Sequence, residues 1–202
     1  MKSRTAALAL FLTFVCVLPA TAAEGDPAAP VHKLCDSLIE AMKQGDKLGM
    51  QGREDKLRPV ITAAYDMTAV TKTTLGSASN KLSPEELQKL SDAYARFSVA
   101  TYADQFAKYG GEHFEIGEPH AGALAGTMVV PSVIVGGDGS RTEIDYVMHE
   151  ANGGWGITDV LFNGTISQVA VRRSEFVPIY RQNGLQALVD VLDQKTAAME
   201  KK

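Results

Sequence analysis

Four histidines, His32, His113, His120 and His149, are the first candidates for acid–base or metal chemistry. None stands at ligand spacing on a helix from a second His, a Cys or a Glu, as a metal site would require. His113 and Glu115 lie two apart on a strand-like stretch with no third donor nearby. Nucleophile patterns are missing as well: there is no Gly-x-Ser-x-Gly elbow and no Ser-x-x-Lys with its companion motifs. Paired carboxylates can act as general acid and base. Glu143 and Asp145 share one face of a strand, where the wet face of a half-buried sheet accounts for both. Asp159 sits between Ile157 and Val160, and an acid among apolar residues needs a partner: Arg172, Arg173 or a backbone amide. Gly136-Gly137-Asp138-Gly139 joins two strands, whereas a phosphate-cradling loop leads into a helix N-terminus. Asn163-Gly164-Thr165 fits a glycosylation sequon, but turn chemistry explains it at less cost. The residues therefore predict no catalytic group, no metal site and no cofactor.

The elements that carry these residues begin with a leader. Lys2 and Arg4 precede an apolar run from Ala6 to Leu18, then Pro19 and the small residues Ala20-Thr21-Ala22-Ala23. This is the pattern of a cleaved secretion signal over residues 1–23, and the run is short of the roughly 20 apolar residues a membrane span needs. Removing Lys2 and Arg4 from the 20 basic residues leaves 18 against 24 acidic ones, a net charge of −6. That sign argues against nucleic acid or an anionic membrane surface as the main partner. Cys16 leaves with the leader. Cys35 remains alone on the apolar side of a helical pattern, a buried thiol with no disulfide to make.

After a Pro/Ala-rich arm at 24–30, helical patterns run from Val31 to Lys43, from Arg53 to Ala64 with a kink or split at Pro59, and from Tyr65 to about Leu75. Ser83-Pro84-Glu85-Glu86 is a capping box opening a helix to about Tyr109, with Gly110-Gly111 ending it. Strand patterns follow at Glu112–Glu118, Gly126–Val135, Arg141–Glu150 and Trp155–Phe162. Pro131 marks an edge or a bulge. Ser174 caps a helix to Gln182, and Gly184 separates it from Leu185–Met199. Helices, meander, helices is an α+β order: a curved antiparallel meander of about four strands wrapped by N- and C-terminal helices, in one domain over 31–199.

What the chain has in surplus is flexible and aromatic apolar side chains on both the sheet and the helices. Ile144, Tyr146 and Met148 form a set by strand parity. Such groups make a core, and between a curved sheet and its helices they also line a cavity for an apolar ligand.

Several motifs together resemble the MlaC-like, toluene-tolerance family. They are Tyr65-Asp66-Met67, Thr74-Leu75-Gly76, Thr101-Tyr102, Tyr146, Trp155-Gly156-Ile157-Thr158-Asp159-Val160, Asn163-Gly164-Thr165-Ile166-Ser167, Arg173-x-x-Phe176 and Leu188-x-x-x-Leu192. Phe106-Ala107-Lys108-Tyr109-Gly110-Gly111-Glu112-x-Phe114-Glu115, the Asn163–Ser167 motif and Arg172-Arg173-Ser174-Glu175-Phe176 are similar to HpnM, its hopanoid-associated branch. Where the family has a tryptophan after Leu-Gly, this chain reads Ser77-Ala78-Ser79-Asn80. The resemblance implies an MlaC/NTF2-like fold with an apolar pocket between sheet and helices. It also implies a monomeric periplasmic carrier of a phospholipid or hopanoid that serves inner- and outer-membrane complexes. Helical spacing, strand parity and family position give the expected lining: Met67, Val70, Leu75, Phe97, Tyr102, Phe106, Met128, Val130, Ile144, Tyr146, Met148, Trp155, Ile157 and Phe176. The rival readings are an envelope protein-interaction module with no cavity, and an enzyme using Asp159 in a pocket.

Overall fold

The computed structural model describes residues 25–151 and 153–201; the predicted secretion signal lies outside them. Helix α1 (Ala29–Lys43) starts on Pro30 in its first turn, taking in the end of the expected arm, and buries Val31, Leu34, Cys35 and Leu38 along one stripe. Helix α2 spans Gly45–Ala64, eight residues earlier than the pattern predicts. Its break falls at Gly49, whose φ of 62° is glycine's territory, and Pro59 sits inside the helix. The early start is tied down by Arg53. Its Nε donates to the Ala103 carbonyl at 2.7 Å and its Nη1 to the Gly45 carbonyl at 3.1 Å.

Helix α3 (Met67–Leu75) is capped by Asp66, whose Oδ1 accepts from the Ala69 amide at 2.8 Å. At its other end Arg173 donates to the carbonyls of Thr73 and Thr74, satisfying acceptors at the negative pole of the helix. Helix α4 (Pro84–Gln105) opens on the expected box: the Glu86 amide donates to Ser83 Oγ, and the Ser83 amide to Glu86 Oε2 at 2.8 Å. Ser83→Ala should lower stability by about 1 kcal/mol, read as a small drop in thermal midpoint. An unchanged midpoint would mean that the box contributes nothing. The helix stops at Gln105 rather than Tyr109, because Phe106 leaves helical geometry and turns its ring onto Tyr102 and toward Phe114.

The sheet is an antiparallel meander. Strands β1 (His113–Ile116) and β2 (His120–Ala121) form the outer rim; β3 (Thr127–Val130) and β4 (Ser132–Val135) lie next to them. Both β3 and β4 pair with β5 (Arg141–Ala151) in one continuous register, Val130 opposite Tyr146 and Val133 opposite Glu143. The single predicted strand is thus split at Pro131, which has no amide to give the ladder. Strand β6 (Gly154–Phe162) pairs with β5 through a bulge that leaves Thr158 as the extra residue, and β7 (Ile166–Ser167) closes the order. Ile144, Tyr146 and Met148 face inward as parity predicts; Glu143 is exposed and Asp145 half-buried on the other face.

Helix α5 (Gln168–Glu200) is broken at Gly184, where φ is 80°, as the pattern predicts. Its cap is Ser167, not Ser174. Ser174 lies within the helix, and its hydroxyl donates to the Val171 carbonyl. Two apolar cores result. One joins α1 and α2 to the inner face of the sheet; the other joins α3, α4 and α5. No helix among the described residues is long and apolar enough to cross a membrane.

Candidate functional site

Between the two cores lies a cavity of about 340 Å³. Strand parity supplies one wall: Ile134, Ile144 and Tyr146, joined by Val160 and Phe162 of β6. Helices supply the other: Met67 and Val70 of α3, and Tyr94, Phe97 and Tyr102 of α4 with Phe106 at its end. The first turns of α5 close it with Val169 and Arg172. Aromatic pairs hold this lining in place. Tyr102 and Phe106 stack at 5.8 Å between centroids, and Phe97 meets Tyr94 and Phe176 edge-on at 6.3 and 6.0 Å.

The third wall depends on Asp159. Its Oδ1 accepts from the Val160 amide at 2.7 Å and the Val169 amide at 3.0 Å, and its Oδ2 from the Ser167 hydroxyl at 2.5 Å. Of the partners the sequence left open, backbone amides are chosen over Arg172 and Arg173. This side chain pins the start of α5 to the sheet, and both of its oxygens are engaged. Arg172 lies over the Phe97 ring at 4.8 Å and pairs with Glu175 at 3.2 Å. Burial pushes the Glu175 carboxyl up, but Lys195 and Arg172 outweigh it and hold the group below its usual range. Gly156 makes room at the seam of α2 and α3. A Cβ there would stand 3.1 Å from Asp66, whose amide donates to the Ile157 carbonyl at 3.1 Å.

Seven of the expected residues meet at the cavity: Met67, Val70, Phe97, Tyr102, Phe106, Ile144 and Tyr146. Val130, Met148 and Ile157 are fully buried in the first core, with Met128 packed against it. Leu75 and Phe176 are buried in the second. Trp155 lies on a separate open groove of about 790 Å³ beside α3 and α4. Periodicity reports which side chains turn inward; it does not report where two cores fail to meet. Tyr65, Tyr94, Val160, Phe162, Val169 and Arg172 also line the cavity and were missed. The Tyr65-Asp66 and Asp159-Val160 motifs were the signals that could have found Tyr65 and Val160.

Among the described residues no group of three or more His, Cys, Asp or Glu is placed to hold a metal. Cys35 lies behind the cavity, its Sγ 3.9 Å from the Tyr146 hydroxyl. Burial pushes its thiol from 9.0 up to about 12, against the opposing pull of the Tyr146 contact. The unfolded thiol loses its proton first, so stability from this group falls as pH rises from about 9 toward about 12. A thiol reagent at pH 8 should leave the native protein untouched and react with Cys35 on unfolding. Native reaction at the rate of a free thiol would contradict the burial.

A family model described as MlaC protein matches residues 32–194. Among solved structures, the fold is similar to that of a phospholipid-binding protein from Ralstonia solanacearum, determined in complex with a phospholipid. The TM-score is 0.73 at 20% identity, covering 87% of this chain and 99% of that one. No curated protein matches the sequence.

Proposed function

The chain belongs to the MlaC family, and from that premise we propose that it is a non-enzymatic periplasmic lipid carrier. It sheaths the apolar tails of an amphiphile, a phospholipid or a hopanoid, and shuttles it as a monomer between inner- and outer-membrane complexes. The observation that carries this reading is the apolar cavity between sheet and helices. Water-exposed hydrocarbon costs about 25 cal/mol per Å², so a tail crosses an aqueous space only if something covers it. The cavity sits at the lower end of the roughly 300–1,000 Å³ range of small-molecule sites, and apolar and aromatic side chains contribute to each of its walls, with Gln105, Asp159, Gln168 and Arg172 among the polar groups that line it. The similar Ralstonia fold was determined with a phospholipid, which favours that class. The HpnM-like motifs Phe106–Glu115 and Arg172–Phe176 favour the hopanoid. Export rests on the Lys2–Ala23 leader. The domain is taken as residues 31–199, with the seven cavity-lining residues of the expected set as lipid contacts.

The test is purification without detergent, followed by native mass spectrometry and solvent extraction of what remains bound. The expected result is one amphiphile per chain, and its identity decides between phospholipid and hopanoid. An empty protein that also refuses offered lipid would overturn the carrier in favour of a protein-interaction module. An enzyme would need Asp159 free to act, and both of its oxygens are bonded.

A further inference from the structure

An apolar cavity should not contain unmatched hydrogen-bond donors, and this one does. Tyr65, Tyr102 and Tyr146 all line it. The hydroxyl oxygens of Tyr65 and Tyr102 lie 2.5 Å apart, and neither has another hydroxyl partner among the described residues. Two phenols carry two protons, and their mutual bond uses one. One O–H is left over, with no second acceptor paired to it among the described residues. Beside the pair, the Tyr146 hydroxyl meets only Cys35 Sγ, a weak partner. Burial holds all three as neutral phenols. The proton of Tyr102 is kept to about 12, and those of Tyr65 and Tyr146 well above the ordinary phenol range.

A hydrocarbon laid against these hydroxyls would take them out of reach of water and give nothing back. We propose that the Tyr65–Tyr102 pair, with Tyr146 beside it, is a polar subsite inside the lipid cavity. It receives an uncharged acceptor oxygen borne by the cargo's apolar body. That oxygen is an ester carbonyl in an acylglycerol or a hydroxyl in a polycyclic lipid. The subsite rests on the carrier reading above and adds a rule of cargo choice to it: an oxygen must sit where the tails enter the phenol group.

The experiment uses the mature protein, stripped of lipid, and two matched pairs of probes. A diacyl phosphatidylcholine and its dialkyl ether counterpart differ in the ester carbonyl. A pentacyclic triterpene alcohol and the corresponding hydrocarbon differ in the hydroxyl. In at least one pair the oxygenated member should be retained about tenfold more strongly, and the pair that shows it identifies the source of the oxygen. The Tyr65→Phe/Tyr102→Phe/Tyr146→Phe triple variant, which removes every phenol proton of the subsite, should lose that preference to within about twofold. Either single Phe variant should keep it, because the surviving phenol, released from its partner, still offers its proton. Equal retention within both pairs by the unaltered protein overturns the subsite while leaving the carrier intact. So does a folded triple variant that keeps the preference. Uptake of none of the four probes overturns the carrier and the subsite together.

Discussion

A Phe106→Asp protein should leave a detergent-free purification empty, with lipid retention reduced about 100-fold or more. Phe106 is the hinge between the end of α4 and the rim of the sheet: its ring stacks on Tyr102 and faces Phe114 at 6.4 Å. It is half-buried and outside helical geometry. An aspartate there stays hydrated while the cavity is empty, so the fold should survive at a cost of about 1–3 kcal/mol. Once a tail enters, that carboxylate must lose its water, and the one cation of the lining, Arg172, is already engaged by Glu175 and the Phe97 ring. Phe106→Leu keeps the wall apolar and should keep most of the lipid. A folded Asp variant that still carries lipid at the parent level would show that the cargo lies elsewhere.

Asp159→Ala should remove about 3 kcal/mol of stability, roughly 6–12 °C in thermal midpoint for a domain of this size. The loss comes from freeing the amides of Val160 and Val169 and the Ser167 hydroxyl at once. Ser167 itself caps α5 by accepting from the Ala170 amide at 2.9 Å, so the damage should spread along the first turn of that helix. Asp159→Asn keeps one acceptor oxygen and should lose less than half as much. Its folded fraction should still bind lipid one to one. A stable Asp159→Asn protein that has lost all function would revive the pocket-acid enzyme and remove the structural role.

What could be read along the chain was what neighbours in sequence decide. Ser83 and Glu86 find each other within one turn, so the capping box was legible from four residues. Parity placed Ile144, Tyr146 and Met148 on the buried face, and Gly184 marked the break in the last helix. The failures were settled at a distance. Ser174 looks as good a cap as Ser167, and the choice falls to Ser167 because Asp159, eight residues upstream, holds its hydroxyl. The early start of α2 depends on Arg53 reaching the carbonyl of Ala103. The Tyr65–Tyr102 contact joins α4 to the residue that caps the end of α2, and no pattern of spacing could pair them. The division between cavity and core was the least legible feature. Val130 and Tyr146 are directly opposed on the sheet and equally buried, yet only Tyr146 reaches the open space.

The solitary buried thiol has a practical consequence. Cys35 is the one cysteine among the described residues and is sealed behind Tyr146. A second cysteine introduced at an exposed position near the rim, such as Gln105, would among the described residues be the only site open to a maleimide dye in the native state. A fluorophore attached there would report cargo loading and release in real time, without first rebuilding the protein to remove competing thiols.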